Sequence, residues 1–136
     1  MTYRPTERAN IDAVRRMIAL EGERDWEGVY DLVTEDCVTS MGELVLDGKA
    51  EMRAYDAKYF IPVFAKSART ILDIVADGDT VVFRWKADAT LAADSRAVSW
   101  EGVSWCRIEG GKVAEGRIDT DSAAIQRQMR PPKGER

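Results

Sequence analysis

Residues 80–91 read TVVFRWKADATL, and this stretch decides the fold class of the chain. Its apolar side chains, among them Val81, Phe83 and Trp85, alternate with polar side chains such as Arg84. A period of two is typical of a β-strand that buries one face and exposes the other. We therefore predict a half-buried strand over residues 80–91.

Further strand-like segments lie on both sides of this stretch. We predict strands over residues 69–76, 98–108 and 113–120, because each is rich in β-forming residues and is bounded by turn signals. Glycine marks the turns at residues 77–79 and 110–111. Short turns join antiparallel neighbours, so the second half of the chain predicts an antiparallel meander.

The first half of the chain is predicted to be mainly helical. Residues 7–21 place apolar side chains at helical spacings, and a second short helix follows the candidate N-cap Asp25. A third helix starts near Lys49 and ends or kinks at Pro62. An extended segment over residues 37–46 separates the second helix from the third.

Helices followed by strands indicate an α+β fold. A short last helix is expected from Asp121 to about Met129. We predict a curved antiparallel sheet wrapped on the three N-terminal helices, with a cavity between the two layers. Residues 1–136 are expected to form a single domain, with its core at about 6–129 and a flexible tail at 130–136.

The 136 residues include no histidine. Its absence excludes Ser–His–Asp and Cys–His nucleophiles and imidazole metal ligands, and we predict neither a metal site nor a cofactor. The two cysteines, Cys37 and Cys106, lack the spacing of a zinc cluster, and we interpret them as buried thiols.

The formal net charge is −4 at pH 7, whereas surfaces that bind nucleic acid are normally basic. We therefore expect no nucleic-acid partner. No apolar run approaches the length of a membrane span, and the N-terminus lacks the apolar centre of a signal peptide. We expect a cytoplasmic protein without a membrane partner.

Several motifs, taken in order, resemble the SnoaL-like branch of the nuclear-transport-factor-two-like (cystatin-like) superfamily. They are GKAEMR at 48–53, ADGDTVVFRW at 76–85, VSWEGVSW at 98–105, EGGKV at 109–113, and Asp121 before the last helix. The resemblance covers nearly the whole chain and implies a conical α+β barrel with an apolar pocket, usually homodimeric. The superfamily includes polyketide cyclases, ketosteroid isomerases, limonene-epoxide hydrolases and scytalone dehydratases, so the fold leaves the function open.

The best-known catalytic residues of these enzymes are missing at the matching positions. The scytalone dehydratase site needs histidine, which this chain lacks. Met41 occupies the position of the general-base aspartate of ketosteroid isomerase. Trp85, Ala87 and Ile118 occupy the positions of the Arg-x-Asp pair and the last-strand aspartate of limonene-epoxide hydrolase.

We predict an aromatic and nearly uncharged pocket between the sheet and the helices. Such a pocket suits a small apolar or aromatic ligand stacked on tryptophan, with Ser104, Thr120, and Tyr55 or Tyr59 as polar contacts. The predicted lining residues are Trp26, Tyr30, Met41, Tyr55, Tyr59, Phe83, Trp85, Trp100, Ser104, Ile118 and Thr120.

A second interpretation is a cofactor-independent cyclase, isomerase, dehydratase or hydrolase. Its candidate catalytic residues are Asp119 and Arg117, which turn inward only if a β-bulge near Gly116 shifts the phase of the strand. Without a bulge, both side chains point outward and form ion pairs on the surface. Whether the chain is an enzyme is open at this level.

The outer face of the sheet predicts an interface. Val103 and Trp105 point outward in the regular strand phase, and an exposed tryptophan beside a valine is typical of a protein contact. We expect a homodimer through this face. A dimerising module whose function resides in that surface is the third interpretation.

Overall fold

The computed structural model describes residues 2–130. The predicted flexible tail at 130–136 lies outside these residues, apart from Arg130. The elements, in chain order, are α1 (Pro5–Gly22), α2 (Trp26–Asp31), β1 (Val33–Met41), β2 (Leu44–Asp47), α3 (Lys49–Tyr55) continued by a π-helical turn (Asp56–Phe60), β3 (Phe64–Asp77), β4 (Thr80–Leu91), β5 (Ala97–Glu109), β6 (Lys112–Thr120) and α4 (Ser122–Met129).

The strands form one open six-stranded sheet in the order β2-β1-β6-β5-β4-β3. Strands β3 to β6 form the predicted antiparallel meander. Strand β1 pairs with β6 in parallel, so the sheet is mixed rather than purely antiparallel. This pair brings a strand from the first third of the chain next to the last strand, and no short-range sequence pattern predicts the pairing. The sheet curves over the helices, which confirms the predicted conical α+β fold.

The inner face of β4 forms the centre of the core. Val81, Phe83 and Trp85 are at most 2% exposed, as the alternation in residues 80–91 predicts. Val14 and Ile18 of α1 pack against these side chains. Burial of one large aromatic side chain removes roughly 150–250 Å² from water, so this layer contact holds helix and sheet together.

Hydrogen bonds from carboxylates set the ends of the helices. Glu7 accepts from the backbone N–H of Arg4 at 2.8 Å and from that of Gly78 at 2.8 Å, which ties the start of α1 to the β3–β4 turn. Asp25 accepts from the N–H of Gly28 at 2.9 Å, so the predicted N-cap of α2 is confirmed. None of the helices within residues 2–130 is long and apolar enough to cross a membrane.

The start of β3 differs from the sequence prediction. Strand β3 begins at Phe64, five residues before the predicted start at Arg69. Its extra residues pair with the far end of β4, where Phe64 lies opposite Leu91. This pairing is a tertiary contact, and the local sequence from 64 to 68 shows no strand pattern of its own.

Candidate functional site

Four aromatic side chains form a continuous row from the helix layer to the sheet. The ring centroids of Trp26 and Phe60 lie 5.8 Å apart, those of Phe60 and Phe64 5.1 Å, and those of Phe64 and Trp100 5.4 Å. These separations are in the range of favourable aromatic pairs. Trp26 begins α2, Phe60 ends the π-helical turn, Phe64 begins β3 and Trp100 belongs to β5. We call these four residues the aromatic row.

Arg24 holds the middle of the aromatic row in place. Its guanidinium donates to the carbonyl oxygen of Phe64 at 2.8 Å and to that of Ile61 at 3.1 Å. These bonds fasten the turn around Pro62 to the segment between α1 and α2. Phe60 and Phe64 lie on either side of that turn, so the ring of Phe60 lies between those of Trp26 and Phe64.

The indole N–H of Trp26 has no hydrogen-bond partner. Within residues 2–130, its Nε1 is the one fully buried side-chain nitrogen or oxygen that lacks one. A buried donor without an acceptor costs about 1–3 kcal/mol, and native proteins leave few of them. The end of the aromatic row therefore holds a covered donor whose hydrogen-bonding capacity the chain itself does not use.

One helical turn along α2, Tyr30 contacts Asp56. Tyr30 is 3% exposed, and its hydroxyl donates to Oδ2 of Asp56 at 2.7 Å. Burial raises the pKa of Asp56, the hydrogen bond from Tyr30 lowers it, and the charge of Glu21 raises it further. Burial and the neighbouring Asp56 also raise the pKa of Tyr30. Asp56 begins the π-helical turn, an irregularity that is frequent at functional sites.

A charged pair lies behind this contact in the interior. Arg69 donates from Nε and Nη2 to the two carboxylate oxygens of Glu21, both at 2.9 Å. The two side chains are 13% and 20% exposed. The guanidinium also lies 5.0 Å from the ring of Trp85 and 5.8 Å from that of Phe83. The prediction of a nearly uncharged interior is therefore wrong, because α1 and β3 bring these charges inward as a pair.

The ring of Trp85 is held by two further residues. Its Nε1 donates to Oγ of Ser104 at 2.9 Å. Gly102 gives the ring its space: a Cβ there would lie 2.7 Å from Cη2 of Trp85 and 2.7 Å from the carbonyl oxygen of Asp119. The interior thus has a rigid aromatic wall on the sheet side and the Tyr30–Asp56 contact on the helix side.

Comparison with known domains decides the family. The profile of the SnoaL-like domain matches residues 14–116, most of the chain. The chain belongs to the SnoaL-like family. No curated protein matches the chain at a significant level.

Solved structures share the fold of this SnoaL-like protein. A proposed SnoaL-like polyketide cyclase from Jannaschia sp. CCS1 superposes with a TM-score of 0.86 at 19% identity, over 97% of this chain and 99% of that one. AclR, a proposed hydroxylase from Streptomyces galilaeus, gives 0.80 at 19% identity, over 90% and 96%. TerC, co-crystallised with polyporic acid, gives 0.77 at 19% identity, over 88% and 96%.

The SnoaL-like interior contains most, but not all, of the predicted lining residues. Tyr30, Phe83, Trp85 and Ser104 are buried. Five others are partly buried: Trp26, Met41, Tyr55, Trp100 and Ile118. That any of these residues contacts a ligand stays a prediction.

Two predicted lining residues are exposed instead. Tyr59 is 54% exposed because it lies on the outer side of the π-helical turn. Its ring lies at a tilt against that of Tyr55, with the centroids 5.1 Å apart. Thr120 is exposed because it is the last residue of β6, at the end of the sheet. Neither is enclosed with the buried aromatic side chains.

The structure places Arg117 and Asp119 on the outer face of β6, where both are exposed. A bulge does occur near Gly116, at Ala114, but the phase of the strand after it leaves Arg117 and Asp119 pointing outward. Both Val113 and Ala114 are buried there, and regular alternation follows. The inward turn that catalysis by Asp119 needs is therefore not made.

Sequence reasoning missed four residues of the interior: Glu21, Asp56, Phe60 and Phe64. The spacing of Trp26 and Tyr30, four residues apart on α2, was the usable signal, because it places two aromatic side chains on one helix face that a facing segment must cover. Among residues 2–130, no three cysteine, aspartate or glutamate side chains are arranged to hold a metal ion.

Proposed function

We propose that this SnoaL-like protein binds a small planar aromatic molecule along the aromatic row, inside the cone. The observation that carries the proposal is the buried, unpartnered Nε1 of Trp26 at the end of that row. A bound carbonyl or ether oxygen would satisfy this donor. The rings of Trp26, Phe60 and Trp100 are only partly buried, so a ligand can reach them from solvent.

The charges of the interior favour an uncharged ligand. Arg69 is already paired with Glu21, so its positive charge is not free for an anion. Asp56 adds a carboxyl group whose charge would repel an anion. Planar rings would gain about 0.5–1.5 kcal/mol for each favourable aromatic contact, beyond the apolar area that they bury.

Two structural neighbours bear on the general class of small organic ligands, not on its charge. TerC is a structural neighbour that was co-crystallised with polyporic acid, and another neighbour is a proposed polyketide cyclase. At 19% identity these likenesses establish the fold alone. They support the proposal only in that another protein of this fold was co-crystallised with a small organic molecule.

A titration of planar aromatic ketones and quinones, followed by calorimetry, tests the proposal. Trp26→Phe keeps a ring but removes the N–H, so it should weaken binding of a carbonyl ligand up to about tenfold. Naphthalene has no acceptor and should bind both proteins about equally. Trp105→Phe, on the outer face, is the matched control and should change neither affinity. Absence of binding by the whole panel, or an equal loss for naphthalene, contradicts the proposal.

We infer that a second copy of this chain covers the outer face of the sheet. One row of side chains crosses all six strands in register on that face: Val45, Ser40, Arg117, Trp105, Val82 and Val75. Val45 and Val75 at its ends are 55% and 44% exposed, and Val103 beside it is 41% exposed. Pairs of opposite charge flank the row, so a two-fold related copy can match arginine against carboxylate.

Light scattering after gel filtration tests the dimer. Trp105→Glu replaces the largest apolar side chain of this row with a charged one and should yield a monomer. Ala9→Glu is the control, because Ala9 is exposed on α1, on the far side of the sheet. A wild-type protein that elutes as a monomer, or a Trp105→Glu variant that stays dimeric, contradicts the inference.

A further inference from the structure

One oxygen of Asp56 has no hydrogen-bond donor on the helix side of the interior. Its Oδ2 accepts from the hydroxyl of Tyr30 at 2.7 Å, and no donor among residues 2–130 reaches Oδ1. Nε1 of Trp26 is the one fully covered, unpartnered side-chain nitrogen or oxygen in these residues, so Oδ1 is unpartnered but not fully covered. Acceptors in such a half-buried position are normally satisfied, and a bound molecule can reach this one.

We propose that the aromatic molecule bound in the interior carries an O–H or N–H group and donates it to Oδ1 of Asp56. This inference rests on the proposed function and narrows its ligand to an uncharged hydrogen-bond donor. Asp56 is then a specificity-determining residue, which accepts the hydrogen bond without any covalent change in the ligand. A ring without a donor would cover the same oxygen and leave it unsatisfied, at a cost in affinity.

The two arginines around this contact are already paired with other carboxylates. Arg69 donates to both oxygens of Glu21, at 2.9 Å each. Arg53 lies over the tyrosine ring that contacts Asp56, 4.4 Å from its centre, and donates to both oxygens of Glu27 at 2.8 and 2.9 Å. In the part of the chain that the structure describes, no arginine or lysine forms an ion pair with Asp56. Its charge is therefore left for a donor from outside the chain.

Burial makes the charge of Asp56 costly, and a donor from the ligand reduces that cost. Burial is the main cause that raises the pKa of Asp56, the hydrogen bond from Tyr30 lowers it, and the charge of Glu21 raises it again. A second donor acts in the same direction as Tyr30, because it stabilises the charged form. Hydrogen bonds to a charged group are stronger than those between neutral groups, so this carboxylate can discriminate sharply between ligands with and without a donor.

The contact lies on the same two elements as one end of the aromatic row. Trp26 and Tyr30 of α2 pack in one apolar cluster, and Asp56 and Phe60 are the first and last residues of the π-helical turn. The two elements meet where Trp26 contacts Phe60 and again where Tyr30 contacts Asp56. A two-ring molecule is longer than the helical turn of about 5.4 Å that separates Trp26 from Tyr30, so a ring beside the row can extend a substituent to Asp56.

Three naphthalenes test the proposal by calorimetry at pH 7. The first two, 2-naphthol and 2-methoxynaphthalene, share the ring and an acceptor oxygen, so only the donor differs between them. The third, 2-naphthoate, carries a negative charge instead. We expect wild-type protein to bind 2-naphthol about ten- to a hundredfold more tightly than the methyl ether. It should bind 2-naphthoate more weakly than either, because the charge of Asp56 repels an anion.

Asp56→Asn removes the charge and the free acceptor while it keeps the shape of the side chain. Its amide oxygen still accepts from Tyr30, so the fold should be retained, and near-UV circular dichroism checks this. The amide then presents N–H in place of the free oxygen, so the preference for 2-naphthol over the methyl ether should fall to about threefold or less. Asp88→Asn is the same substitution at an exposed carboxylate on the outer face of β4, and this matched control should keep the wild-type preference.

The comparison of ligands in wild-type protein needs no variant, so it decides the matter even if Asp56→Asn does not fold. Equal affinities for 2-naphthol and its methyl ether, tighter binding of 2-naphthoate, or an unchanged preference in folded Asp56→Asn overturns the donor assignment. In each of these cases a naphthalene still binds, and the proposed function stands. If none of the three binds, the donor assignment falls, and the proposed function falls with it only if the ketones and quinones also fail to bind.

Discussion

Removal of the carboxylate of Glu21 should destabilise the protein strongly. In Glu21→Gln, the guanidinium of Arg69 keeps its charge but loses the partner that it contacts through two bonds of 2.9 Å. Breaking a buried ion pair costs about 3–5 kcal/mol. Because these side chains retain 13% and 20% exposure, we expect a loss of about 2–3 kcal/mol in the free energy of unfolding.

Urea unfolding at pH 7, followed by far-UV circular dichroism, measures this loss. The m-value should not change, since the same surface is exposed on unfolding. Glu23→Gln is the matched control: it removes an exposed carboxylate two residues away and should cost less than about 0.5 kcal/mol. Arg69→Met is the partner variant, with an apolar side chain that can still contact the ring of Trp85.

The double variant decides whether the two charges act as a pair. If they do, Glu21→Gln combined with Arg69→Met should lose clearly less stability than the sum of the single variants. A single-variant loss below about 1 kcal/mol, or strictly additive losses, would refute the reasoning. Either result would mean that water already screens the pair.

Other consequences follow from local contacts. Gly102→Ala should lower the free energy of unfolding by about 1–3 kcal/mol and alter tryptophan fluorescence, because a Cβ there collides with the ring of Trp85. Urea unfolding measures this loss. Gly116→Ala is the control, because its Cβ would meet nothing closer than 3.9 Å. Glu7 has a lowered pKa, so it stabilises the fold above pH 4.5 and this contribution disappears as the pH falls through its folded pKa. Glu7→Gln should therefore lie below wild type at pH 7 and approach it in acid, as thermal melts across pH will show; a constant difference contradicts this. Asp25→Ala removes the N-cap of α2 and should cost about 1 kcal/mol in the same melts, while no change would mean that water replaces the cap.

Much of the fold could be predicted because its signals are local. The alternation in residues 80–91 is a property of neighbouring side chains, and β4 occupies those residues as predicted. The caps Asp25 and Asp121 act over three residues, and both accept the expected hydrogen bond. The parallel pairing of β1 with β6 could not be predicted in this way, because its partners are some eighty residues apart.

The site was harder to predict than the fold. Trp26 and Tyr30 were recognised from their spacing, since aromatic side chains on one face of a short helix must be buried against something. Asp56 was not, because a carboxylate within a polar-looking helix gives no sign of which side it faces. The π-helical turn that begins at Asp56 changes the direction in which the following side chains point, and the local composition does not predict this turn.

The sequence by itself determined the element order, the inner face of β4 and the absence of histidine chemistry, since each depends on residue type and short-range spacing. Only the tertiary structure decided which charges lie inside. Arg69 and Glu21 are 48 positions apart in the chain, and each would be read alone as a surface residue. Because their opposite charges neutralise each other, both side chains can lie inside the fold. In the same way, Tyr30 contacts Asp56 only because α2 packs against the π-helical turn. Burial and hydrogen bonding of such groups are properties of the assembled layers.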